Sequence, residues 1–224
     1  MSESTKWGAL FDLDGVLIDS PDIHARAWAD IFRPYGIELP PQRLHREEGR
    51  ISIDIARGIN EEFGLNLNDD VLIEMIECKR EIYRKGAPRK MRTDALNAVK
   101  SLKETGWTLC LVSGSVRENL ESALSQQELD YFDVILTAGC YAHGKPHPDP
   151  FLTACRKADL KPSNCVAIEN APLGISSARA AGMKVIALTS TLPEIELKDA
   201  DIIVNDLTKL PDLLKLFKSN YTNK

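Results

Sequence analysis

Six short apolar runs do most to narrow the folds open to this chain. They are Gly8 to Leu13, Thr108 to Val112, Val134 to Leu136, Cys165 to Ile168, Val185 to Leu188 and Ile202 to Val204. Each is continuous rather than alternating, the pattern of a parallel strand covered by helices on both faces. Helical patterns separate the later runs. A stretch capped by Thr93 or Asp94 carries Ala95, Leu96, Val99 and Leu102 at helical spacing and stops at Gly106. Pro150 to Ala158 reads likewise, as does Ile175 to Ala181, ended by Gly182. Strand and helix in alternation predict an open α/β sheet.

The first run stands apart, because the next begins only at Thr108. No strand-like run fills the gap. Asp22 to Tyr35 carries Ile23, Ala27, Ile31 and Phe32 along one face, and Ile51 to Phe63 and Asp70 to Arg84 are similarly periodic. A parallel crossover needs only a dozen or so residues and one helix. The spacing therefore predicts an inserted helical domain over residues 20–90, leaving 1–19 and 91–224 as a discontinuous core.

Composition excludes several classes of function. The 224 residues include 28 Lys+Arg against 33 Asp+Glu, a formal net charge of −5, with no basic block. That argues against a nucleic-acid or membrane surface as the main partner. The apolar runs are too short to span a bilayer, and Met1 to Trp7 has no apolar signal region, so a cytoplasmic protein is expected. Five scattered cysteines without a C-x-x-C read as free thiols.

In open α/β sheets ligands sit beyond the carboxyl ends of the strands, so the residues after each strand are the candidates. The first run leads into Asp12-Leu13-Asp14-Gly15, two carboxylates that point the same way and can share a cation or divide catalytic roles. The second ends in Ser113-Gly114-Ser115, where a hydroxyl, a permissive glycine and backbone N–H groups can hold an anion. After the third comes Gly139 to Pro146, close to a nucleotide-binding phosphate loop. Pro146 stands where that loop needs a hydroxyl, and it disfavours helix at Lys145. Cys140, His143 and His147 suggest zinc, yet Pro146 breaks the spacing and no fourth ligand is near in sequence. Lys145 remains, a point charge on a Pro-rich turn. The fourth run ends in Glu169-Asn170, hard oxygen donors suited to Mg²⁺. Four polar groups on successive strand ends read together as a metal-assisted phosphoryl site.

Asp12-Leu13-Asp14-Gly15-Val16, Ser113, Gly144-Lys145-Pro146 and Glu169-Asn170, in this order, resemble the four motifs of the haloacid dehalogenase superfamily. The helical insert, with His24 in Asp22-Ile-His24-Ala-Arg-Ala-Trp28, is similar to the cap of the β-phosphoglucomutase branch. Ile168 to Ile175, with Glu48-Gly49-Arg50, resembles a subgroup of that branch containing an inorganic pyrophosphatase. The resemblance implies a Rossmann-like core with an inserted α-helical cap, and a two-step phosphoryl transfer. Asp12 would attack phosphorus to form an aspartyl-phosphate; Asp14 would protonate the leaving oxygen and then activate water. Mg²⁺ would be held by Asp12, the Asp14 carbonyl and the Glu169-Asn170 pair, while Ser113, Gly114 and Lys145 would hold the phosphoryl oxygens. His24, Glu48, Arg50 and Lys79 in the cap would select the leaving group.

Two departures from the family stand out. Asn170 replaces the usual Asp, which removes one negative charge and keeps an oxygen donor. The mutase's cap arginine for a distal phosphate has no match; its position falls near Ser52, with Arg50 two residues away. The leading expectation is a Mg²⁺-dependent phosphohydrolase acting on a small phosphorylated metabolite or pyrophosphate. A sugar-phosphate mutase is the alternative within the same chemistry. A non-catalytic phospho-accepting module is the alternative of another class, although such a module needs no cap. The expected state is a monomer or weak dimer.

Overall fold

The computed structural model describes residues 5–222, and in it the six apolar runs form one sheet. Its strands are β1 (Gly8–Phe11), β2 (Thr108–Val112), β3 (Val134–Leu136), β4 (Cys165–Glu169), β5 (Lys184–Leu188) and β6 (Ile202–Val204). All pair in parallel, in the order β3-β2-β1-β4-β5-β6. Successive strands run to one side of β1 and then to the other, which opens a crevice at the carboxyl end of β1. Asp12 lies there, and its N–H extends the ladder by one bond to the Ile168 carbonyl at 3.0 Å.

Four helices follow β1: α1 (Pro21–Phe32), α2 (Pro41–His45), α3 (Ser52–Glu62) and α4 (Asp69–Gly86). They enclose a hydrophobic cluster of their own, including Trp28, Phe32, Ile55, Ile59, Leu72 and Ile76. Local chemistry sets α4 clearly. Asn68 caps it by accepting from Val71 N–H at 3.0 Å, two aspartates open it, and Arg84 and Lys85 close it, as the helix dipole favours. Its buried stripe is Leu72, Met75, Ile76, Lys79 and Tyr83. Lys79 thus stands at a position where helical spacing calls for an apolar residue.

The rest of the chain supplies α5 (Thr93–Glu104), α6 (Arg117–Ala123), α7 (Gln126–Leu129), α8 (Asp149–Ala158), α9 (Pro172–Ala180) and α10 (Leu210–Thr222). The strand pleat divides the core between the sheet's two faces. Ala9, Phe11, Leu109 and Leu111 pack with α5, α6 and α10, while Leu10, Cys110 and Val112 pack with α8 and α9. Helix α5 begins at Thr93, but its cap residue is Arg92, which makes no side-chain cap bond. Asp94 instead accepts from Leu207 N–H at 3.0 Å and from Arg92, so it ties the approach to α10 onto α5. All five cysteines are free, and no helix among the described residues is long and apolar enough to cross a membrane.

Phe32 is fully buried within the helical insert. Phe32→Ala removes a ring from a packed cluster and should cost about 3–5 kcal/mol, read as a shift in the urea midpoint. A loss below about 1 kcal/mol would show that the insert does not depend on that cluster.

Candidate active site

The crevice at the end of β1 is organised by a buried ammonium. Lys145 Nζ donates to Asp12 Oδ1 at 2.6 Å, to Glu169 Oε1 at 2.6 Å and to the Val112 carbonyl at 3.2 Å. One side chain therefore ties together the ends of β1, β2 and β4. Burial would strip Lys145 of its proton, but Asp12 and Glu169 outweigh it and hold its pKa above the ordinary lysine value. Burial raises the Asp12 pKa, against the pull of Lys145. It pushes Glu169 up to about 7. Two carboxylates on one ammonium are left short of positive charge.

Asp14 has a different environment. Its Oδ1 accepts from Ser20 Oγ at 2.5 Å, His24 Nε2 at 3.0 Å and Tyr83 Oη at 3.3 Å, and its Oδ2 from Ser115 Oγ at 3.1 Å. Burial raises its pKa, but His24, Ser20 and Lys79 prevail and hold the carboxyl well below the usual range. Lys79 Nζ lies 2.6 Å from His24 Nδ1. An ammonium has no lone pair, so Nδ1 must accept; Nε2 then carries the ring proton and gives it to Asp14. Burial and Lys79 both lower the His24 pKa, which suits this neutral ring. His24 also stacks on Tyr83 at 4.1 Å between centroids. Two neighbouring aspartates thus differ: Asp12 on a shared cation, Asp14 held ionised by four donors.

The insert reaches the core through the loop after α2. Glu48 Oε2 accepts from Asn170 Nδ2 at 2.6 Å, and Thr191 Oγ1 lies 3.0 Å from the same nitrogen. Glu48 Oε1 and Asn170 Oδ1 are both buried without a hydrogen-bond partner. Burial pushes the Glu48 carboxyl well above its usual value. Arg46 forms a two-bond pair with Glu196 across the same boundary, at 2.6 and 2.9 Å. A Cβ on Gly114 would meet the Gly49 carbonyl oxygen at 2.8 Å, so insert and core backbones touch where only glycine fits. Gly15 has φ +81° and lies against the Asn170 amide, which explains the glycine after the paired aspartates.

The structure brings the candidate residues to one cleft at the carboxyl end of β1. Asp12, Asp14, His24, Glu48, Arg50, Lys79 and Gly114 line it directly. Ser113 lies beneath, its Oγ accepting from Ser115 N–H at 3.0 Å, and Lys145, Glu169 and Asn170 form the buried floor. Arg50 is paired with Glu47 at 2.7 Å. Asn170 is a site residue rather than a helix cap, since Ala171 occupies the cap of α9. Sequence reasoning did not assign Ser20, Glu47, Tyr83, Ser115 or Thr191. Tyr83 had a signal, lying one turn from Lys79 on the same face of α4; Ser20 and Thr191 had none. Gly114→Ala should force the Gly49 loop off the core and lower turnover at least about tenfold, with the far-UV spectrum and urea midpoint little changed. Unchanged turnover would show that the close approach is not needed for activity.

Comparison with known proteins agrees with this geometry. Residues 9–188 match the haloacid dehalogenase-like hydrolase family. A validoxylamine A 7′-phosphate phosphatase from Streptomyces hygroscopicus subsp. limoneus is 31% identical over 90% of this chain and 94% of its own. A β-phosphoglucomutase from Bacillus subtilis (strain 168) is 29% identical over 90% of each chain. The crystal structure of a β-phosphoglucomutase from Clostridium difficile superposes with a TM-score of 0.85 at 24% identity, covering 98% of this chain and 100% of the other. A shared fold, full-length sequence similarity and an Asp12–Lys145–Glu169 floor beneath Asp14 make this chain a member of the haloacid dehalogenase-like hydrolase family.

Proposed function

We propose that this protein is a Mg²⁺-dependent phosphohydrolase of small phosphorylated metabolites, with pyrophosphate within its range, acting through an aspartyl-phosphate on Asp12. The observation that carries the reading is the division between the two aspartates. Asp12 sits on Lys145, whose charge can also meet phosphoryl oxygens. Attack by an Asp12 oxygen forms a P–O bond and breaks the bond to the leaving oxygen, which takes the proton that Asp14 carries in its acid form, gained from water in the preceding turnover. Water then attacks the phosphorus, Asp14 takes its proton, and the bond to Asp12 breaks. Held ionised by four donors, Asp14 is set in this structure for the second step.

The residues present fit a divalent cation. Asp12, Asp14, Glu48 and Glu169 place four buried or half-buried carboxyls around Lys145 and Lys79, and two buried oxygens, on Asn170 and Glu48, have no donor. Unpaired buried oxygens among excess acids are costly, and a cation relieves that cost. The Asp12 carboxylate, the Asp14 carbonyl, Glu169 and Asn170 would hold it, with Glu48 beside Asn170. Bound there, Mg²⁺ would supply charge that offsets the repulsion between the nucleophile and the phosphoryl oxygens.

The Lys79–His24–Asp14 chain favours a second reading, a sugar-phosphate mutase, since His24 and Lys79 match that branch's cap. A mutase must also grip a distal phosphate, and the arginine that does so has no match in this chain. Arg50, two residues from the expected position, forms an ion pair with Glu47, and its Nε makes no hydrogen bond. Hydrolysis is therefore the better fit, and the phosphatase among the relatives agrees with it. Conversion of β-glucose 1-phosphate to the 6-phosphate without net phosphate release would favour the mutase instead.

A panel of sugar phosphates, other small phosphomonoesters and pyrophosphate should release phosphate only with Mg²⁺. Asp12→Asn should lower turnover by several orders of magnitude; undiminished activity would remove Asp12 as nucleophile. A pH profile tests the relay. Burial lowers the Lys79 pKa to about 8, with Asp14 opposing. Below that pH the ammonium fixes the His24 proton on Nε2; above it the constraint is lost, so kcat should fall as pH rises through about 8. Lys79→Met should show a lower plateau without that alkaline limb. An unchanged limb in the variant would rule out Lys79 as its source.

A further inference from the structure

The turn that carries Lys145 into the active site presents a second group of ligating side chains to solvent. His143 Nδ1 lies 2.9 Å from Asp149 Oδ2, and His147 Nδ1 lies 3.2 Å from Asp149 Oδ1. The two rings are 4.6 Å apart between centroids, tilted by 39°. One potential ligand atom from each of the three residues falls within 4.8 Å of the others. Main-chain bonds prearrange the cluster: His143 N–H donates to Asp149 Oδ2 at 3.2 Å, and Asp149 N–H to His147 Nδ1 at 3.3 Å. Asp149 is the first residue of α8, so a helix that packs on the sheet anchors one side. The group that forms is not the Cys140, His143 and His147 set suggested by the sequence: Cys140 lies outside it, and Asp149, two residues after His147, takes its place.

We propose that His143, His147 and Asp149 bind a first-row transition-metal dication such as Zn²⁺, at a site separate from the catalytic cleft. Two imidazoles and one carboxylate suit Zn²⁺, Co²⁺ or Ni²⁺, whereas Mg²⁺ prefers all-oxygen surroundings. Ligand atoms around tetrahedral zinc, each about 2.0–2.2 Å from the ion, lie roughly 3.4 Å apart. The two His–Asp distances approach that spacing, and the ligand atoms of the two histidines lie within 4.8 Å of each other. Water completes the shell, because His143 and His147 are exposed. The histidines flank Lys145 by two residues on either side, so a bound ion would clamp the Lys145 turn to the start of α8.

Untagged protein in excess Mg²⁺, titrated with Zn²⁺ in a calorimeter, should bind one ion at this site. His143→Ala and His147→Ala should each weaken binding by about tenfold or more, since even outer-shell partners of a metal are worth that much. Cys140→Ser and Asp12→Asn should leave it unchanged. Co²⁺ substitution gives a second readout that does not depend on any variant folding. It should show weak d–d bands without thiolate charge transfer. Binding that survives in the His143→Ala/His147→Ala double variant would overturn the site. Loss in Asp12→Asn would place the ion in the catalytic cleft, and a thiolate band or loss in Cys140→Ser would place it on the cysteine.

Discussion

The Lys145 ammonium, buried between Asp12 and Glu169, is the interaction on which the rest of the site depends. It joins the ends of three adjacent strands that contribute nothing else in common. A buried charge is tolerable only when paired and hydrogen-bonded, and Lys145 makes three such bonds. The pairing is unequal, with two acids on one cation. The floor is thus satisfied for a lysine and still electron-rich, and an acidic protein with a net charge of −5 can accept an anion there only through local positive charge.

Around that floor the same residue type is used in two states. Asp12 and Asp14 leave one strand end two residues apart, yet one meets an ammonium and the other meets four neutral or hydrogen-bonding donors. Three of those donors, Ser20, His24 and Tyr83, follow β1 on the insert side, and Lys79 supports them through His24. The helical insert therefore shapes the electrostatics of Asp14 as well as covering the cleft. Arg46–Glu196, Glu48–Asn170 and the Gly49–Gly114 approach hold the two parts together in this arrangement.

Much of this was legible before folding. Continuous apolar runs marked all six strands; those of β2, β3 and β6 match the strand bounds to the residue, and those of β1, β4 and β5 differ at one end. Asp12, Asp14, Ser113, Lys145, Glu169 and Asn170 could be located because strand ends are where an open sheet exposes ligand-binding groups. The short helices α2, α6 and α7 were less visible, since one or two turns carry little periodicity. Asp94 misled as a helix cap because a carboxylate near a helix start has the same sequence signature whether it caps that helix or a loop far along the chain. Thr191 and Ser20 had no local pattern; each matters through a partner distant in sequence or across a turn.

By itself, the sequence determined the layered α/β fold, the presence of a long helical insertion, and which residues lie at the mouth of the sheet. Those follow from hydrophobic periodicity and chain order, which are local properties. Only the tertiary structure decided what state those residues are in. Asp14 is held ionised, Glu169 is pushed up to about 7, and Arg50 is engaged by Glu47. It alone also set Asp149 between His143 and His147. Protonation depends on burial and on neighbours such as Lys145 and Tyr83 brought from elsewhere in the chain. Even the close-spaced pairs depend on how a turn is folded, which spacing along a sequence does not carry.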